Sequence, residues 1–138
     1  MKQIPVIFWS GTGNTQMMAD AVAEAINAAG AEAVVKNVSE ITADEAAGYD
    51  ALALGCPAMG AEVLEECEFE PFFSELEGKL AGKKVALFGS YGWGGTYMQD
   101  WEARVKDAGA TLVADGVLAL GAPDDEAMAK LAEAGKLL

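Results

Sequence analysis

Apolar and polar positions along the chain switch repeatedly between two periods. "IPVIFW" (4–9) is a short apolar run, the pattern of a strand buried on both faces. "NTQMMADAVAEAINAAG" has a helical period. Met18, Val22 and Ile26 line one stripe, Ala21, Ala25 and Ala29 the adjacent one, and Gly30 marks the stop. "AEAVVKNV" predicts a second strand, "TADEAAG" no more than a helical turn, and "ALALGC" a third strand ending at Pro57. "PFFSELEGKLAG" predicts a helix with Phe72, Leu76 and Leu80 inward, and "KKVALFGS" a fourth strand. "YMQDWEARVKDAG" is helical with Tyr97, Trp101 and Val105 on one side, and "ATLVADGVLAL" reads as a fifth strand. "PDDEAMAKLAEAGKLL" predicts a last helix, with acids in the first turn where the helix dipole favours them.

Five β units with helices between them place the chain in the α/β class. Right-handed crossovers then give a doubly wound, five-stranded parallel sheet with helices on both faces. No linker or shift of composition divides residues 1–138, so one domain is expected. In such sheets ligands bind beyond the carboxyl ends of the strands, where the strand order reverses. The loops to inspect are therefore "SGTGNT", "PAMGAE" and "SYGWGG", after strands one, three and four.

Composition narrows the chemistry. Hydrophobic residues make up 52% of the chain, enough for a full core, yet no apolar run approaches the ~18 residues of a membrane span. With no charged-then-apolar leader, a cytoplasmic protein with no membrane partner is expected. Net charge is −13, and positions 37–78 hold eleven acidic residues and no basic one. Such a surface repels nucleic acid; it either steers the protein toward basic partner surfaces, as its concentration in "EVLEECEFEPFFSELE" favours, or only confers solubility. The chain has no His, and Cys56 and Cys67 form no CxxC. A zinc site and a disulfide scaffold are both disfavoured, and the cysteines read as reduced thiols without a chemical role.

The first loop has no Lys, so it is not a Walker A loop, and Gly11-Thr12-Gly13 followed by Thr15-Gln16 is not GxGxxG. Its place between a strand and a helix is informative. There the first free N–H groups of the helix point outward with the positive end of the dipole. Ser10, Thr12, Asn14 and Thr15 add side-chain donors, while Gly11 and Gly13 permit close backbone approach and positive φ. Neutral donors can hold a phosphate dianion if enough converge; the alternative is a capped helix without a ligand. In the second loop Met59 sits in a turn between a Pro and a Gly, either packing on a flat π-system or joining the core. Glu62 is either an acceptor for a ring N–H or one more solvated acid. In the third loop Tyr91 and Trp93 lie among glycines, where a Trp is hard to bury: either a stacking site for a planar ligand or a Trp packed down on its own loop. Together the loops describe a ligand with a phosphate at one end and a planar ring at the other. No Ser-His-Asp set or metal cluster is present, so the reactive atoms belong to a cofactor.

"FWSGTGNT", "LGCPAMGAE" and "FGSYGWGG" resemble the three FMN-binding loops of flavodoxins, most closely the short-chain flavodoxins of anaerobic bacteria. The resemblance spans essentially the whole chain, in order and with the expected spacing, and the fifth strand carries no long insertion. It implies the flavodoxin-like strand order 2-1-3-4-5, non-covalent FMN, and single-electron shuttling between redox proteins. The 5′-phosphate would sit in residues 10–15, held by the backbone with Ser10, Thr12, Asn14 and Thr15 as donors and Ser90 adding its hydroxyl. Trp9 would shield the phosphate and ribityl end. The isoalloxazine would lie between Met59 on its inner face and Trp93 on its outer face. Glu62 would accept from the ring N3–H, and N–H groups near Gly92 would face the pyrimidine edge. Pro57, Ala58, Tyr91 and Gly94 complete the implied cofactor loops. Gly60 would turn its carbonyl toward N5–H in the semiquinone. Ala61 departs from relatives that often carry a polar residue after that Gly. No side chain is implied as catalytic.

A net hydrogen bond made only once N5 is protonated is worth about 0.5–1.5 kcal/mol. One kcal/mol is roughly 43 mV in a one-electron couple. A carboxylate ~10 Å from the reduced ring costs ~0.4 kcal/mol at a dielectric of about 80, so several acids push the second potential down. The expectation is a low-potential, monomeric one-electron carrier whose partners are redox proteins with basic docking surfaces. The alternative is an FMN-dependent reductase of a small molecule such as a quinone. It would need a substrate pocket over the ring and usually extra loops or a dimer contact, neither visible in this chain. A storage or regulatory flavin module would differ by failing to pass electrons from a low-potential donor. A response-regulator-like module of the same fold needs an acidic cluster after strand one and an Asp ending strand three. The chain has Ser10-Gly11-Thr12 and Cys56-Pro57 there.

Overall fold

The computed structural model describes residues 3–9, 13–57, 68–91, 96–120 and 123–138. In chain order the elements are β1 (Gln3–Phe8), α1 (Asn14–Ala28), β2 (Glu32–Asn37), a 3₁₀ turn (Val38–Glu40), α2 (Ala43–Ala46) and β3 (Ala51–Gly55). They continue with α3 (Phe69–Glu77), β4 (Lys84–Tyr91), α4 (Thr96–Asp107), β5 (Thr111–Leu112), β6 (Val117–Leu120) and α5 (Asp125–Leu137). Every strand pairing is parallel, and the order is β2-β1-β3-β4-β5, with β6 also beside β4. The expected 2-1-3-4-5 order is therefore present.

Strand parity divides the core into two layers. Ile4, Val6 and Phe8 of β1, with Ala51 and Ala53 of β3, pack with α1 and α5. Ile7, Leu52, Leu54, Val85 and Leu87 face the other way and pack with α3 and α4. Alternate residues point to opposite faces and both faces are buried, so these strands read as unbroken apolar runs. The α1/α5 layer is built close. A methyl group added at Gly135 of α5 would stand 2.8 Å from the Ala25 Cβ of α1. In the α3/α4 layer, Trp101 meets Phe69 and Phe73 edge-on, with ring centroids 5.4 and 5.9 Å away.

Three sequence expectations shift. On α1 the stripe of Met18, Val22 and Ile26 is fully buried, but of the adjacent alanines only Ala25 is; Ala19 and Ala23 are buried instead. Ala29 caps the helix beyond its last packed turn and is exposed. Helix α3 begins at Phe69, two residues before Pro71. Phe69 is a core residue against Trp101, and Pro71 still falls in the first turn, where a missing N–H costs nothing. The expected fifth strand forms as two segments. The register offset to β4 grows from 27 residues at Lys84↔Thr111 to 29 at Phe88↔Val117. Residues 113–116 thus cover a span that β4 crosses with Ala86 and Leu87. Glu102 of α4 accepts from the Gly116 N–H at 2.8 Å, holding the break open, and a side chain at Gly116 would collide with Met98.

Candidate functional site

The carboxyl ends of β1, β3 and β4 are stitched together where the three loops leave the sheet. The Trp9 N–H donates to the Gly55 carbonyl at 3.0 Å, and the Cys56 N–H to the Phe88 carbonyl at 3.1 Å. This is the reversal point of the sheet, since β1 leads outward to β2 and β3 outward to β4. Ser10, Gly11, Thr12, Ala58, Met59, Gly60, Ala61, Glu62, Gly92, Trp93 and Gly94, and also Cys67, lie outside the described residues.

Helix α1 starts at this edge. Its N-cap is Gly13, at φ +92, where a glycine is at ease and no side chain is available to cap. The Met17 N–H reaches the Gly13 carbonyl at 3.0 Å, so the N–H groups of Asn14, Thr15 and Gln16 precede the intrahelical ladder. The first turn of α1 holds no acid. Helix α5, by contrast, is capped by Asp124, which accepts from the Ala127 N–H at 2.8 Å, and has Asp125 and Glu126 in its first turn. The end of α1 that faces the loops keeps its positive dipole uncompensated by its own first-turn side chains.

Thr15 and Ser90 are the buried polar side chains among the described residues, at 1% and 6% exposure. Their hydroxyl oxygens are 3.5 Å apart. That is long for an O–H···O bond, so both retain capacity for a shared acceptor. Asn14 opens the helix beside them, Tyr91 is the last residue of β4, and Pro57 follows Cys56 into the second loop. Trp9 is half-buried against the α3/α4 layer, and its indole N–H donates to Glu68 Oε1 at 3.3 Å.

Two supporting residues escape a one-dimensional reading. Glu68 is the N-cap residue of α3, and through Trp9 it ties the far end of the second loop to the end of β1. The Tyr97 hydroxyl donates to the Cys56 carbonyl at 2.9 Å, tying the start of the second loop to the helix that follows the third. Thr15 and Ser90 connect the first loop with the third. Among the described residues, each pair of loops is thus linked at its base by a side-chain contact. Tyr97 shows in the sequence only as a member of an apolar stripe. Burial, and then the nearby Cys56, push its phenol well above the usual tyrosine range, so it remains a donor.

Two acids of α3 share one cation. Arg104 of α4 takes both Glu70 oxygens, at 2.6 and 2.9 Å, and both Glu77 oxygens at 3.1 Å. Its guanidinium also lies 4.7 Å from the Phe73 ring centroid. Hydrogen bonding from Arg104 holds the Glu70 carboxyl below its ordinary value, and Glu70, then Glu77, raise that of Arg104. Among the described residues no group of His, Cys, Asp and Glu is placed to hold a metal, and no helix is long and apolar enough to cross a membrane.

The flavodoxin family model matches residues 6–135. A flavodoxin of Clostridium beijerinckii is 49% identical over 121 residues, covering 87% of this chain and 88% of that one. A flavodoxin of Megasphaera elsdenii is 47% identical over 116 residues, covering 83% and 85%. The solution structure of two-electron reduced Megasphaera elsdenii flavodoxin superposes with a TM-score of 0.89 at 43% identity, over 98% of this chain and 99% of that one.

Proposed function

We infer the working parts of this molecule from one premise: the chain belongs to the flavodoxin family, and like its relatives it is an FMN-bound electron carrier serving partner proteins. The observation that carries the site is the pair of buried hydroxyls, Thr15 and Ser90, set against the start of α1, whose N-cap is Gly13 and whose first turn holds no acid. A phosphate monoester fits there. It is a compact anion that accepts from several neutral donors, and the helix dipole favours it. Ser10, Thr12, Asn14, Thr15 and Ser90 supply side-chain donors, and the backbone at Gly11 and Gly13 approaches closely.

FMN supplies one-electron chemistry when bound. The chain orients the ring and sets its surroundings. Met59 and Trp93 would cover the two ring faces, and Trp9 would screen the phosphate end. Glu62 would accept from the ring N3–H, the backbone around Gly92 would serve the pyrimidine edge, and the Gly60 carbonyl would be the acceptor for N5–H. Pro57, Ala58, Ala61, Tyr91 and Gly94 complete the loops. The three contacts among described residues tie the bases of these loops together, which supports the positioning of a rigid planar ligand.

We read the chain as a single domain acting in the cytoplasm as a monomer, with no substrate of its own. Its partners are redox proteins with basic docking surfaces, because positions 37–78 are acidic without a basic residue. Stepwise reduction of the purified protein under an absorption spectrophotometer tests the reading. Flavin absorbance that disappears in two separate one-electron steps is expected. A protein without flavin absorbance, or one taking both electrons at once, would refute it, and sustained turnover with NAD(P)H and a quinone would point to a reductase.

A further inference from the structure

We propose that Tyr97 is a positioning residue for the flavin loops, acting through the peptide bond between Cys56 and Pro57. The proposal rests on the FMN reading above. The pairing of β3 with β4 ends at Gly55↔Phe88. One residue later, the Cys56 N–H is still held by the Phe88 carbonyl at 3.1 Å, but the Cys56 carbonyl has left the ladder. A buried carbonyl requires a partner. Here it is the Tyr97 hydroxyl, at 2.9 Å, delivered from the first turn of α4. Cys56 is fully buried and Tyr97 is 2% exposed, so water is a poor substitute.

The geometry is specific to this place. Gly89 lies between the two partners on β4, and a side chain there would overlap both the Cys56 oxygen and the Tyr97 hydroxyl. Glycine is what lets the phenol reach across the strand. The peptide group being held is also unusual, since Pro57 offers no N–H and its ring fixes φ. With its N–H to β4 and its carbonyl to α4, Cys56 is clamped on both sides. The position of Cys56 and Pro57, the last described residues before Met59 and Gly60, is then tied to where α4 stands. Because α4 follows the loop carrying Trp93, this hydrogen bond joins the bases of the two loops assigned to the ring faces.

A purely structural bond would stabilise the protein equally with and without flavin. A positioning bond leaves a different mark. Without it the flavin-free loops relax, and FMN has to reimpose their spacing on binding. Redox states that place different demands on the loop after Pro57 are then affected unequally.

The test compares wild type and Tyr97→Phe for FMN dissociation constant, for both one-electron midpoint potentials, and for urea unfolding of the flavin-free protein. Wild type is titrated with FMN first. If it does not bind, the flavin reading fails and this proposal falls with it. If it binds, Tyr97→Phe is expected to raise the dissociation constant on the order of three- to tenfold, the size of one net hydrogen bond. At least one midpoint should move as well, by about 28 mV for each threefold change in relative affinity for the two redox states. A lower unfolding midpoint with unchanged affinity and unchanged potentials would overturn the proposal. Should the flavin-free Tyr97→Phe protein fail to fold, the midpoint potentials of the FMN-loaded variant decide: a shift in at least one supports the proposal, and two unchanged potentials overturn it.

Discussion

Thr15 Oγ1 and Ser90 Oγ stand 3.5 Å apart, both buried, between the first turn of α1 and the end of β4. Two buried hydroxyls at a long 3.5 Å, beside a helix start whose N-cap is a glycine, keep capacity for a further acceptor. Thr15→Val keeps the shape and removes the donor, as Ser90→Ala does nearly. Each is expected to weaken FMN binding by about 0.5–1.5 kcal/mol, roughly two- to tenfold, with little change in the flavin-free protein's stability. Flavin fluorescence titration reads the affinity. Wild-type affinity in both variants would remove this pair from the phosphate site.

Trp93→Ala probes the opposite end of the ligand. Loss of ring coverage and stacking should cost on the order of 1–3 kcal/mol of FMN affinity. An unchanged dissociation constant would contradict the assignment of Trp93 to the ring. Read beside Thr15→Val, the two losses should be nearly additive, since the residues are assigned to separate parts of the cofactor.

Arg104 gives the fold a pH dependence with a definite sign. Its bond to Glu70 holds that carboxyl below the ordinary 4.5. A depressed folded value means the stabilisation is complete above 4.5 and is lost as pH falls below it. Arg104 itself stays charged throughout. Arg104→Met is expected to cost about 1–2 kcal/mol near neutral pH, since the pairs are bidentate but only half-buried. Urea unfolding should show the gap to wild type narrowing at about pH 3. A gap independent of pH would place the effect in packing against Phe73.

Gly135→Ala sets helix propensity against packing. Alanine in a helix interior gains up to ~1 kcal/mol over glycine. Here the new methyl would meet the Ala25 Cβ at 2.8 Å and the Val22 carbonyl at 3.0 Å. Neither neighbour is the end of a flexible side chain, so α1 and α5 must separate, and overpacking of this kind costs roughly 1–3 kcal/mol. Net destabilisation is expected; a more stable Gly135→Ala protein would show that the helix pair yields.

Local pattern made the layers legible in the sequence. Leu52 and Leu54 alternate with Ala51 and Ala53, and Met18, Val22 and Ile26 recur at helical spacing, because each period is the direct imprint of a buried face. The division of the fifth strand was present as a signal too, in Asp115-Gly116 within an apolar run, since an isolated Gly in a strand pattern marks a bulge. The apolar pattern starts α3 at Pro71, whereas burial of Phe69 carries the helix two residues further back. Thr15 and Ser90 come together in the sequence only through the family resemblance, and the other contacts that join the loops leave no local signal. Trp9 and Glu68 are 59 residues apart, Cys56 and Tyr97 41, and Thr15 and Ser90 75. Only the sheet order brings them together, and nothing in their own neighbourhoods announces it.

The two-residue slip between β5 and β6 has a practical side. Residues 113–116 leave the sheet's rhythm and return to it, with the Val113 N–H still on Val85 and the Gly116 N–H handed to Glu102. The strand on either side keeps its own register with β4. Extra chain spliced in after Ala114 would lengthen an excursion that already exists, and the entropic cost of a longer loop grows only slowly with its length. A reporter or affinity tag placed there should be carried without disturbing either half of the strand, which makes this edge the natural graft point of the molecule.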